Sequence, residues 1–97
     1  MIALDLNDTI FQDDLVALEK AELIACIKTF RKIRALEWDD LYRDQGLKWE
    51  KIHSVQGPNG QRLYSLRITQ KCRAVAYRNG EMLVFLALHS DHDSAYK

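Results

Sequence analysis

The sequence is poor in the residues that staple, break or loosen a chain. It has two cysteines, one proline and four glycines in 97 residues. Two cysteines cannot build a disulfide framework or a zinc ligand set, and Cys26 and Cys72 fall in a helical pattern and beside a predicted hairpin loop. A reduced, cytoplasmic compartment is expected. No signal peptide is expected before Met1, and the longest apolar run, residues 82–88, is far too short to span a bilayer. Net charge is also lacking, with 14 basic and 14 acidic residues, so no overall basic excess points to nucleic acid.

The neutral total hides an asymmetry. Residues 1–46 carry six Lys/Arg against ten Asp/Glu, a net of −4, and residues 47–97 carry eight against four, a net of +4. Opposite charge in the two halves places a basic working face on the second. The hydrophobic share of 47% and charged share of 29% suit one small domain spanning residues 1–97 with a single core.

Along the chain, "IALDL" alternates as a short first strand. Asn7, Asp8 and Thr9 offer N-cap side chains, with Asp13 and Asp14 expected near the positive helix end. Apolar residues from Ile10 to Ile33 recur at three- and four-residue steps, a pattern for one helix or two with a break near residues 17–21. "EWDDLYRDQG" adds a short helical turn with Trp38, Leu41 and Tyr42 inward and Gly46 as its stop. Strands follow in "LKWEKIH", "RLYSLRIT" and "CRAVAY", with "GPNG" as a turn and Asn79-Gly80 as a type I′ hairpin signal. "EMLVFLAL" is apolar on both faces and reads as a central strand covered on both sides. The expected fold is α+β: an N-terminal strand and one or two helices packed on one face of an antiparallel sheet of three to five strands.

The frame "GLKWEKIHS…GQRLYSLRITQKCRAVAYRNGEMLVFLALHSDHDSAY" resembles the RelE/ParE superfamily of type II toxin–antitoxin toxins. In the RNA-cleaving branch, the resemblance implies a ribosome-dependent, metal-independent mRNA endonuclease with no cofactor. A cognate antitoxin would be its protein partner, and the ribosome and mRNA its substrate assembly. Attack of a 2′-hydroxyl on the neighbouring phosphate needs a base, an acid and cations to hold the developing charge. The resemblance makes Arg73 the candidate to grip the scissile phosphate, with Arg67 on the preceding strand. Glu50 matches a carboxylate before the sheet, flanked by Lys48 and Lys51. His92 and Tyr96 fall where a terminal acid or base and a stacking ring would stand. Lys71 and His89 complete the candidate substrate contacts. The neutral charge and the His/Asp-rich tail depart from the pattern and keep two alternatives open: a ParE-like gyrase poison, and a non-catalytic protein-binding module of the same fold.

The tail "HSDHD" contains metal-ligand residue types, but an adjacent cluster without a partner His or Cys elsewhere rarely closes a site. It reads as acid–base or substrate-contact residues, and no metal is expected. Strand alternation supplies a geometric expectation. A three-residue loop at residues 70–72 would pair Thr69 with Arg73 and bring Arg67 and Arg73 to one face, away from the helices, with His92 or Tyr96 close by.

Overall fold

The computed structural model describes residues 1–90. The chain runs β1 (Ala3–Asp5), α1 (Thr9–Val16), α2 (Lys20–Arg34), α3 (Trp38–Arg43), β2 (Glu50–Gln56), β3 (Arg62–Arg67), β4 (Cys72–Asn79) and β5 (Met82–Ser90). The five strands form one sheet in the order β1-β5-β4-β3-β2. Strands β2 to β5 make an antiparallel meander, and β1 pairs with β5 in parallel, Ala3 opposite Met82. That parallel pairing was not part of the expected meander, because alternation in "IALDL" marks a strand without naming its neighbour.

The first helix starts where the sequence supplies a reason. The Asp8 carboxylate accepts hydrogen bonds from the Ile10 and Phe11 amides and caps α1. Asp13 and Asp14 lie beyond the first turn of α1, so they do not serve its N-terminus as expected. Asp14 has a different job. β1 covers only the Met82–Val84 portion of β5, leaving the strand edge unpaired further on, and there the Asp14 carboxylate accepts the Leu88 amide at 3.0 Å.

The break between α1 and α2 falls at residues 17–19, and α3 forms a third helix where a single turn was expected. Gly46 is not the left-handed stop. That backbone conformation is adopted by Lys48 instead, at φ 49°. The β4–β5 connection also differs from the expected Asn-Gly turn. Asn79 pairs with Met82, so Gly80 and Glu81 form the loop. Among these two only Gly80 has positive φ, at 63°, which is the pattern of a II′ turn with glycine first.

All three helices pack on one face of the sheet. Phe11 of α1, Phe30 of α2 and Phe85 of β5 meet with ring centroids 5.3 to 6.4 Å apart, and Cys26, Ile33, Leu41, Leu66, Ala74 and Leu83 fill the surrounding core. The expectation that β5 is covered on both faces is corrected. Among the described residues its second face meets no layer of helices, and Leu86 and Ala87 there line an open groove.

Candidate functional site

The groove lies on the face of the sheet away from the helices, and strand alternation decides what reaches it. Leu66, Ala74 and Leu88 point into the core, so Arg67, Arg73 and His89, one residue away, point out. The register aligns these three in a row: Arg67 opposite Arg73, and Arg73 opposite His89. The next row brings Glu50, Ser65, Val75 and Ala87 side by side across four strands.

The two arginines share a face as expected, though by a different loop. The connection is residues 68–71 rather than 70–72, and Arg73 faces Arg67 rather than Thr69. Thr69 lies inside the loop. Its hydroxyl accepts the Lys71 amide at 3.1 Å, while the Ile68 amide donates to the Cys72 carbonyl at 2.8 Å. Both registers have the same parity, so the facing of the arginines is unchanged.

Arg73 is the most constrained member of the row. Its Nη2 lies 3.6 Å from Oε1 of Glu50, which reaches across from β2. Its Nη1 is buried and meets no hydrogen-bond acceptor among the described residues. A buried guanidinium donor without an acceptor costs stability. Glu50 is itself exposed, so its pairing with Arg73 contributes at most about 1 kcal/mol to stability.

The row floors one end of a hollow of about 720 Å³. Lys71 and Gln70 stand at that polar end with Arg67, Arg73 and His89, and Ser65 lies beside them. The opposite end is aliphatic, formed by Ile52, Val55, Leu63, Val75, Leu86 and Ala87. Leu86 and Ala87 are neighbours in sequence, yet both face the hollow. The ladder shifts by one residue between Val75–Ala87 and Ala76–Phe85, and the resulting bulge turns both toward it.

Of the candidates named from sequence, Arg67, Arg73, Lys71 and His89 line the hollow, and Glu50 contacts it through Arg73. Lys51 alternates with Glu50 and pairs with Tyr64, so it belongs to the other face. Lys48 sits in the turn before β2 and does not line the hollow. His92 and Tyr96, with Asp91 and Asp93, lie outside the described residues. Among the described residues no group of three or more His, Cys, Asp or Glu is placed to hold a metal ion. Sequence reasoning missed Ser65, Gln70 and the aliphatic wall. Ser65 was accessible from the alternation that exposes Arg67; the wall depends on the bulge, which no residue announces.

No family model matches the sequence, and no curated protein matches it. Two solved structures match its fold over nearly their whole length. One is archaeal RelE from the RelE–RelB complex of Pyrococcus horikoshii OT3, at 20% identity and a TM-score of 0.62, covering 94% of this chain and 96% of that one. The other is a copper-bound mutant toxin from Helicobacter pylori, at 23% identity and a TM-score of 0.51, covering 98% and 99%. The strand–helices–meander architecture is a RelE-like fold.

Proposed function

We propose that this protein is the toxin of a type II toxin–antitoxin pair and acts in the cytoplasm as a ribosome-dependent mRNA endonuclease. The observation that carries the reading is the alignment of Arg67, Arg73 and His89 on one row, with the Glu50 carboxylate beside Arg73. The solved relative of the same fold was crystallised with RelB, which supports an antitoxin as the protein partner.

The chemistry assigned to these groups needs no metal. Glu50 takes the proton from the 2′-hydroxyl, whose oxygen attacks the adjacent phosphorus. Arg67 and Arg73 hold the non-bridging oxygens as charge accumulates on them. The bond to the 5′-oxygen breaks, and His89 supplies its proton. The products are a 2′,3′-cyclic phosphate and a 5′-hydroxyl. His92 and Tyr96 remain candidates for the acid and for base stacking.

Two measurements test this. Inducing the chain without its partner should arrest growth, with translation falling before DNA synthesis. If gyrase-linked DNA breaks come first, the ParE-like alternative replaces it, and unaffected growth with soluble protein leaves the binding-module reading. In vitro, cleavage of ribosome-bound mRNA should survive EDTA with ribosome integrity controlled. A product ending in a 3′-hydroxyl would exclude the 2′-hydroxyl mechanism.

A further inference from the structure

The reaction just described makes no use of the aromatic residues on the helix side of the sheet. Trp38, Tyr42, Trp49 and Tyr64 form a ladder from α3 onto β3, with successive ring centroids 6.0, 5.7 and 4.5 Å apart and the last pair stacked at 15°. Arg78 closes the Trp38 end. Its guanidinium lies 4.2 Å from the ring centroid and donates to the Tyr42 hydroxyl at 2.9 Å. Tyr64 shares the face of the core residue Leu66, so its ring stands on the side away from the arginine row. Here the ladder leaves the shelter of the helices. β2 beside it is exposed along almost its whole length, Tyr42 is 40% exposed, and Trp49 and Tyr64 are half-buried, so part of each ring meets solvent. Such rings at the margin of a fold serve as a packing wedge or as a platform for another planar ring.

The charges around the ladder separate these roles. Lys51 lies directly opposite Tyr64 in the β2–β3 register, Arg62 alternates with Leu63 and so shares the face of Tyr64, and Lys48 immediately precedes Trp49. All three cations are exposed, and among the described residues none forms an ion pair. Glu81, the carboxylate at the closed end, is engaged by Arg78 and the Trp38 indole. Lys48 has the only positive φ among the described non-glycine residues, at 49°. A lysine holds that conformation at a cost that glycine would not meet, and backbone strain of this kind clusters where ligands are held. A packing wedge needs neither the strained lysine nor three unpaired cations.

Charge complementarity and ring chemistry together select the occupant. An acidic peptide would satisfy the cations and leave the rings without a planar partner. Single-stranded RNA meets both, with bases that stack on Trp and Tyr and phosphates that pair with Lys and Arg. We propose that this margin is a second RNA-binding surface, in which an unpaired base stacks on the Trp49–Tyr64 pair and Lys48, Lys51 and Arg62 hold the flanking phosphates. It stands apart from the nuclease reading, because it lies on the other face of the sheet from Arg73 and Glu50 and involves no cleavage.

The experiment is an NMR titration of the full chain with 2′-O-methyl hexaadenylate, read at the Trp49 indole N–H and the Tyr64 ring protons. The control is an abasic hexamer of equal charge. In about 50 mM salt the probe should shift both signals saturably, with a dissociation constant no weaker than about 100 μM, and the abasic strand should bind at least about tenfold more weakly. Trp49→Leu should lose about tenfold or more in affinity. Lys51→Gln should lose about threefold or more and flatten the logarithmic salt dependence by about 0.7. Lys48→Gly should also bind about threefold or more weakly while melting no lower than the parent, since glycine takes this backbone without strain. The two lysine variants alter only exposed side chains, so they carry the test even where Trp49→Leu unfolds. Equal binding by the abasic strand, no saturable shift at these two rings, or unchanged affinity in both lysine variants overturns the proposal. So does capped hexaglutamate that shifts them while the RNA does not, since the surface would then belong to an acidic protein. The probe has no free 2′-hydroxyl and the assay no ribosome. A chain that binds the probe here and cuts no mRNA therefore defeats the nuclease reading alone, and one that cuts mRNA without binding the probe here defeats this surface alone.

Discussion

Arg67 and Arg73 stand directly opposite each other on adjacent strands, two like charges at a register position where opposite charges would be stabilising. Such a pair costs about 0.2–1 kcal/mol relative to a neutral one, and Glu50 on the far side of Arg73 offsets part of it. Both arginines are half-buried, so solvent only partly screens the repulsion. An arrangement that costs stability and concentrates positive charge is expected where an anion binds.

Stability and activity should therefore move in opposite directions at this pair. Arg67→Gln is expected to leave the melting temperature unchanged or to raise it by a few degrees, since relief of about 0.5 kcal/mol is worth roughly 2–4 °C in a domain of this size. The same change should lower kcat/KM for cleavage of ribosome-bound mRNA by about 10²-fold or more. Thermal melts and in vitro cleavage on one preparation check both signs. A variant that is destabilised yet fully active would make Arg67 structural.

Glu50 is the counterion of Arg73 and, on the proposed reading, would also be the acceptor of the 2′-hydroxyl proton. Glu50→Gln keeps the shape and removes both the charge and the basicity. If it is the base, kcat falls by about 10²–10⁴-fold, KM does not rise, and the acidic limb of the pH profile disappears. If it is only a counterion, cleavage continues and mRNA binds more tightly, because the phosphate no longer competes with a carboxylate. The melting temperature should hardly move in either case, as the ion pair is exposed.

What could be read ahead of the structure divides by range. The common face of Arg67 and Arg73 was legible only in part. Alternation fixes each strand's own faces, but a two-residue loop at 70–71 would have put the arginines on opposite faces. The need for a converging phosphate clamp favoured the three-residue loop. The loop itself was not legible, and in the structure the Thr69 hydroxyl accepts the Lys71 amide within it. The helical stretches were legible from periodicity, while the parallel partner of β1 was set by distant packing. "EMLVFLAL" was rightly central, yet its double apolar face signalled a bulged wall rather than a second covering layer. Asp14 looked like a helix-end charge and proved to be a tether for Leu88, a role fixed only by how short β1 is.

Asp44 fixes the approach to β2 and gives the fold an acid-sensitive point. Its carboxylate receives the Lys32 ammonium at 2.9 Å and the Leu47 amide at 2.9 Å, joining the end of α2 to the segment leading into Glu50. Burial pushes this carboxyl up, but the Lys32 and Leu47 hydrogen bonds outweigh it and hold the group below its ordinary value. A depressed carboxyl stabilises the fold above its unfolded value of about 3.9 and loses that contribution as pH falls through the folded value. Asp44→Asn should therefore melt several degrees lower at pH 7, on the order of 1 kcal/mol. The gap from the parent should close on acidification below about pH 3.9. A gap constant from neutral to strongly acidic pH would show that the charge plays no part.

Cys26 tests the core from the other direction. It is fully buried on α2, and burial, with the nearby Cys72 adding to it, pushes its thiol up to about 12. At pH 8 the folded protein then holds almost no thiolate at this position, and thiolate is the form that attacks disulfide reagents. Cys72 is also fully buried. Neither thiol should react with an aromatic disulfide reagent in the native protein, and both should react in denaturant, with the native rate following the small unfolded population. The sign of the linkage adds a second check. A thiol whose folded value lies above its unfolded one binds more protons in the folded state, so its contribution is intact below about pH 9 and is lost as pH rises toward about 12. Chemical denaturation at intervals across that window should show stability falling as pH rises. Rapid stoichiometric labelling of the native protein at pH 8 would mean that α2 does not hold Cys26 inside the core.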